Sequence, residues 1–174
     1  DAPDHLLDDV RAFSVLNLMR QYHDEPAHNG HVRALALTLF DALVDVHGLG
    51  PAERELLGHA AWIHDIGMAV DYYRHEHHGL LLTLGRALPG FDHREQVLLA
   101  LLVRYHRKGT PGAEGFDALL APGDLARLTT LAGMLRLAEY LERGKAQRVT
   151  GVDVELVGDE VRVLARSEGD VHVE

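Results

Sequence analysis

The segment AAWIHDIGMAVDYYRHEHHG, residues 60–79, gathers four histidines (His64, His75, His77, His78) and three carboxylates (Asp65, Asp71, Glu76). Cysteine is absent from the chain, which removes disulfides and thiolate metal sites from consideration. Any bound metal must therefore sit on imidazole nitrogen and carboxylate oxygen, a donor set that suits divalent ions. Such ions activate water and polarise phosphoryl oxygens, so hydrolysis is the chemistry this composition could support.

The position of these side chains relative to the apolar stripes narrows the candidates. His31 lies four residues before Leu35, which places it on the inward side of its helix. His64 continues the stripe of Leu57, Ala60 and Ala61, and Asp65 follows at a helix C-terminus, where the dipole disfavours an unpaired carboxylate. Glu139 is four residues after Leu135 and also points inward. A buried carboxylate is costly without a cation, so a metal on His31, His64, Asp65 and Glu139 is one reading. His106, one turn after Leu102, and His78 could complete a second position. Arg104, Arg107 and Lys108 flank His106, and Arg74 precedes His75; these cations could hold phosphate oxygens. The plainer reading stays open beside it. Inward histidines are often hydrogen-bonded core residues, Glu139 could pair with Arg136 or Arg143, and RYHRK could be a solvated helix end. No ligand role is expected for His5, His23, His28, His47, His59, His93 or His172.

The elements that must position these residues are mostly helices. Apolar residues recur at spacings of three and four over 11–22, 31–48, 50–67, 93–109 and 123–144. Pro51 lies near one start, Asp124 is the expected N-cap of the longest helix, and glycines close several of them. Residues 110–122 read as a loop with a short helical turn. From residue 149 the period changes: VDVELVGDEVRVLAR alternates around Gly158-Asp159, a two-residue hairpin signal. A lone hairpin is marginal in water, so it should pack on the helices or pair with 171–173. The expected fold is mostly α, a helical domain over 1–148 with a β-hairpin appendage over 149–174.

The 174 residues carry 17 basic and 27 acidic side chains, a formal charge of −10. That balance argues against nucleic acid as a partner, since nucleic-acid binding needs a basic footprint. A small anionic substrate in a locally basic pocket remains compatible with it. No apolar run approaches membrane-spanning length, so no membrane partner is expected. The opening DAPDHLLDD shows no signal-peptide pattern and no initiator Met, which leads to the expectation of a cytoplasmic piece of a longer product.

An early helical histidine, an adjacent His-Asp pair and a distant carboxylate resemble the HD superfamily of metal-dependent phosphohydrolases. Three stretches are closer to one family: RAFSVLNLMRQYHDEPAHNGHVRALALTLFDAL, HDIGMAVDYYRHEHHGLLLTLGRALPGF and LLVRYHRKGTP. They resemble the C-terminal helical domain of the exopolyphosphatase/guanosine pentaphosphate phosphatase family, over about residues 9–150. The resemblance implies an HD-domain-like helical bundle with metal ligands at His31, His64 and Asp65. Glu139, in LRLAEYLER, stands where relatives typically read LRLADGLDR, which keeps the charge on a longer arm. His78 and His106 would be the additional histidines of two-metal members. Asp65 and His106 would act in catalysis, and Arg74, Arg104, Arg107 and Lys108 would bind substrate. The implied cofactor is one or two divalent ions (Mn, Mg, Ni, Fe or Zn), and the implied substrate is polyphosphate or a nucleotide polyphosphate. The actin-like phosphatase region of that family, with its glycine-rich phosphate loops, is not in this chain. Two expectations follow. One is an HD-type phosphohydrolase; the other is a non-catalytic polyphosphate- or alarmone-binding module of a larger exopolyphosphatase, with a homodimer contact or an actin-like domain as partner.

Overall fold

The structure is a computed structural model and describes residues 9–22 and 25–168. Seven helices and one hairpin follow in chain order: α1 Val10–Tyr22, α2 Pro26–Ala42, α3 Val44–His47, α4 Pro51–Ile63, α5 His75–Leu84, α6 His93–Tyr105, α7 Asp124–Leu141, β1 Val149–Val157 and β2 Glu160–Ser167. Short 3-10 turns lie at Ile66–Ala69 and Asp117–Leu119. The protein is mostly α with a small antiparallel sheet, as expected.

Helix α6 is the centre of the packing. Every residue from Val97 to Val103 is buried, so this helix is apolar on all sides and must be enclosed rather than lie on a surface. It packs against α4, α5 and α7, while α2 closes on α4 and α7. Its start is fixed by a capping box: the Asp92 carboxylate accepts from Glu95 N–H, and the Glu95 carboxylate accepts from Asp92 N–H. Arg11 of α1 donates to the same Glu95 carboxylate and to Glu55, tying α1 to α6 and α4.

Several boundaries differ from the sequence expectation. Helix α2 begins at Pro26, a full turn before 31, because proline at the first helical position needs no N–H partner. Helix α4 stops at Ile63, and the chain turns through His64 and Asp65 into the 3-10 turn. Gly123, at φ 90°, caps α7; Asp124 is its first residue and is buried. Helix α5 was not anticipated. Its leucines carry no clean stripe, since Leu80 is buried and Leu81 is 64% exposed.

Two glycines set the position of α5. A Cβ on Gly67 would lie 1.9 Å from the His75 carbonyl oxygen, and one on Gly79 would lie 2.6 Å from Val103 Cγ1. Helix α5 therefore rests directly on the turn after Asp65 and on α6, at a distance only glycine permits. The hairpin turns at Gly158-Asp159 with Val157 opposite Glu160, and Gly158 has φ +61° as that turn requires. Val149 and Val152 are buried, and β1 packs on α2. Pairing with 171–173, and His5, His23 and His172, fall outside the described residues.

Candidate metal centre

Five helices bring side chains to one point. The turn after α4 supplies His64 and Asp65, the start of α5 supplies His75, the end of α6 supplies His106, and α2 and α7 supply His28 and Glu139. All but Glu139 are buried, and Glu139 is half-buried.

Three of the histidines share one device. His64 Nδ1 is 2.8 Å from the Ala61 carbonyl, His75 Nδ1 is 2.9 Å from that of Tyr72, and His106 Nδ1 is 2.7 Å from that of Val103. In each case the carbonyl belongs to the residue three positions earlier. A carbonyl can only accept, so each ring donates its Nδ1–H, and in the neutral ring Nε2 is left as a lone pair. These lone pairs face one another and two carboxylates. His64 Nε2 is 3.0 Å from Glu139 Oε2, and His75 Nε2 and His106 Nε2 are 3.2 Å apart. Both of the latter face Asp65 Oδ1, at 3.4 and 3.5 Å. His28 Nε2 is 3.4 Å from Glu139 Oε2 and 3.9 Å from Asp65 Oδ2.

Lone pairs and carboxylates packed together repel unless a cation lies among them. The buried His28 Nδ1 and Nε2, His64 Nε2 and Glu139 Oε2 have no hydrogen-bond partner in the protein. Buried polar atoms are satisfied in the great majority of proteins, and this group of exceptions could hold a metal ion. Without a metal, a proton on His64 can take the place of that cation. Burial works against a charged His64, yet the Asp65 and Glu139 carboxylates push it up to about 9. Burial would raise the Glu139 carboxyl, but His28 and His64 bring it down to about 2, and Asp65 is held well below the carboxylate range by His64, His106 and His75 in the same way.

The donors fall into two groups that share Asp65: His28, His64, Asp65 and Glu139, and Asp65, His75 and His106. Within each group one ligand atom per residue lies within 4.8 Å of the others. Asp65 Oδ2 faces the first group and Oδ1 the second. The nitrogen-rich, thiolate-free donors fit one or two divalent transition ions. The Nδ1–H contacts to carbonyls are the supporting shell that such ligands need.

Beside the donors lies a cavity of about 140 Å³ with Asp65, His75 and Glu139 in its wall. Arg107, Arg143, Lys145, Tyr72 and Tyr140 also line it. The Arg107 guanidinium lies 5.8 Å from the Tyr72 ring and that of Arg143 lies 5.8 Å from the Tyr140 ring. Lys145 pairs with Glu25 and stands 3.6 Å from Asp65 Oδ2.

Of the residues singled out from the sequence, His64, Asp65, His106 and Glu139 are brought together. His31 is not: its Nε2 bonds the Val149 carbonyl at 2.8 Å, anchoring the hairpin, and His28 stands in its place. Both residues are inward by spacing, but α2 extends back to Pro26, and His28 is four residues before Val32 and eight before Ala36, both fully buried. That spacing was the signal for His28. His78 is likewise outside both groups, and His75, one turn earlier, takes the position because α5 begins there. Glu139 pairs with neither Arg136 nor Arg143; Arg136 instead donates to the Tyr105 and Gly109 carbonyls.

Among the basic residues, only Arg107 of the four expected lines the cavity. Arg74 is the exposed residue before α5, Arg104 lies beside Glu114 at 3.7 Å, and Lys108 pairs with Glu76 at 3.0 Å. Arg143 and Lys145 were missed. They sit in the loop after α7, where no periodicity reports side-chain direction, and Lys145 has a positive φ of 50°.

Residues 10–169 match the family model described as Ppx/GppA phosphatase, domain III. A similar protein is the guanosine-5'-triphosphate,3'-diphosphate pyrophosphatase of Vibrio vulnificus (strain YJ016), 29% identical over 131 residues. The matched region is 74% of this chain and 26% of that relative, so the chain spans about a quarter of the relative's length. Among the described residues no helix is long and apolar enough to cross a membrane.

Proposed function

The chain belongs to the Ppx/GppA phosphatase family, through domain III, and from that premise we propose that it is a metal-binding, HD-type phosphohydrolase domain acting on phosphate anhydrides or esters. The observation that carries this reading is the convergence of four imidazoles and two carboxylates, with three tautomers fixed by backbone carbonyls. His28, His64, Asp65 and Glu139 would hold one ion, and Asp65, His75 and His106 a second. A nitrogen-rich set favours Mn, Fe, Ni or Zn over Mg. When bound, the metal supplies Lewis acidity and an activated water.

The protein's own residues do the rest. Asp65 and His106 sit at the reacting centre: Asp65 orients both donor groups with its two oxygens, and His106 is held in line by Val103. Arg107, Arg143 and Lys145 would address phosphate oxygens in the cavity. Tyr72 and Tyr140 in its lining offer ring surface on which a base could stack, which favours a nucleotide polyphosphate over plain polyphosphate. The test is phosphate release from nucleoside polyphosphates and from tripolyphosphate by Mn²⁺-loaded protein. Release that disappears in Asp65→Asn and Glu139→Gln supports the reading; none with any divalent ion refutes turnover.

A second reading, a binding module of a longer phosphatase, rests on a different observation. The chain spans only about a quarter of its relative, and its cavity carries three basic side chains on its own account. Salt-sensitive binding of tripolyphosphate without hydrolysis, lost on charge reversal at Arg107 and Arg143, decides for it.

A further inference from the structure

Glu76 follows His75 and is 1% exposed, yet it has no place in the metal groups. A buried carboxylate needs a cation at close range. Here the cation is Lys108, whose Nζ forms an ion pair 3.0 Å from Oε1 on a side chain that is 62% exposed; neither Glu76 oxygen has a hydrogen-bond partner, so this ion pair is what answers the carboxylate. Lys108 belongs to the bend that follows His106. The pair therefore joins the residue after one histidine to the residue two beyond another. The Nε2 atoms of those two histidines are 3.2 Å apart and both face Asp65. On its other side the same bend is held by Arg136 of α7, which donates to the Tyr105 carbonyl at 3.0 Å and to the Gly109 carbonyl at 2.9 Å.

We propose that Lys108 and Glu76 are positioning residues, an ion-pair latch that fixes His75 against His106 and so builds the second donor group, and that Lys108 does not bind substrate. The inference rests on the metal-centre reading for its purpose, but the latch itself is a statement about two side chains. Breaking it leaves a buried carboxylate without its partner, which drives Glu76 towards solvent and the start of α5 with it. His28, His64 and Glu139 lie on other elements and meet the second group only through Asp65, so the first group should respond little. Ligand-orienting partners of this kind typically contribute ten- to a hundredfold to metal affinity.

Long-range ¹H–¹⁵N spectra of the histidine rings, in metal-free protein, test the latch directly. In the full chain His75 and His106 should each show the Nδ1–H tautomer, and His64 serves as the reference signal. In Lys108→Met the signals of His75 and His106 should average between tautomers while His64 stays fixed, and Lys108→Arg should restore them. Mn²⁺ titration of the same proteins should show the second binding event of Lys108→Met weakened about ten- to a hundredfold, with the first little changed. Unchanged His75 and His106 signals in a folded Lys108→Met overturn the latch, as does loss of tripolyphosphate binding alone, which would return Lys108 to the substrate. Should Lys108→Met fail to fold, Glu76→Gln, which keeps the shape, takes its place in both arms. If the full chain binds no Mn²⁺, the metal reading fails while the ring spectra still decide the latch.

Discussion

Two buried aspartates at opposite ends of the bundle show how a stabilising charge differs from a working one. Asp124 is fully buried and fully answered: Arg94 donates to both its oxygens at 2.7 and 2.5 Å, Arg127 at 2.8 Å, and the Ala121 N–H at 2.7 Å. Asp65 is 4% exposed, and the groups that face it stand at 3.4 Å or beyond. Around it both ring nitrogens of His28 and the Nε2 of His64 lack a hydrogen-bond partner. A network satisfied from within the protein contributes to stability. A network left open, in a fold able to close the other one, could be completed by an ion from outside, as the metal reading proposes.

The contrast is sharpest in mutants. Asp124→Asn leaves two arginines facing a neutral group. Since both are partly exposed, we expect a cost at the low end for a broken buried pair, ~3 kcal/mol. For a domain of this size that is a fall in Tm of about 6–12 °C by calorimetry. Metal binding should survive it. Asp65→Asn should reverse that order. Metal-free stability should fall by less than in Asp124→Asn, because no group that faces Asp65 comes closer than 3.4 Å, while the stabilisation by added metal, ~2.7 kcal/mol at a hundredfold excess over Kd, should vanish. Equal losses of metal-free stability in the two variants would erase the distinction.

Within the site the comparison passes to His28 and His31. His28→Gln should weaken metal binding about ten- to a hundredfold in a titration, whereas His31→Gln should leave it unchanged and loosen only the contact to Val149. The smallest effect is in pH. Burial would raise the Asp124 carboxyl, but Arg94, the Ala121 N–H and Arg127 hold it below its ordinary value. Its contribution is therefore complete above the ordinary aspartate range and is lost as pH falls through the depressed value. The Tm gap between the wild type and Asp124→Asn should be constant near neutrality and narrow only in acid below about pH 4. A gap unchanged into strong acid would mean that the Arg94 pair contributes little.

What the sequence disclosed follows the same division. Helices with regular stripes were legible, as was the hairpin at Gly158-Asp159, because local spacing and turn chemistry decide them. Asp65 and Glu139 were legible as inward carboxylates. The choice of His28 over His31 and of His75 over His78 was not, because in each pair both residues sit on one helix a turn or less apart. There the helix start decides, set by Pro26 in one case and by the Gly67–Gly79 crossing in the other. Arg143 and Lys145 reach the cavity from a loop, and Lys108 turns to Glu76 through a tertiary contact that no spacing reports.

The central claim is that the opening around Asp65 is a metal site. Its most direct test is elemental analysis of protein purified without chelator, read together with the shift in Tm on adding Mn²⁺, Ni²⁺ or Zn²⁺. We expect one or two divalent ions per chain and a clear upward shift that Asp65→Asn abolishes and Asp124→Asn retains. Metal-free protein whose Tm does not respond to any of the three ions would contradict the account.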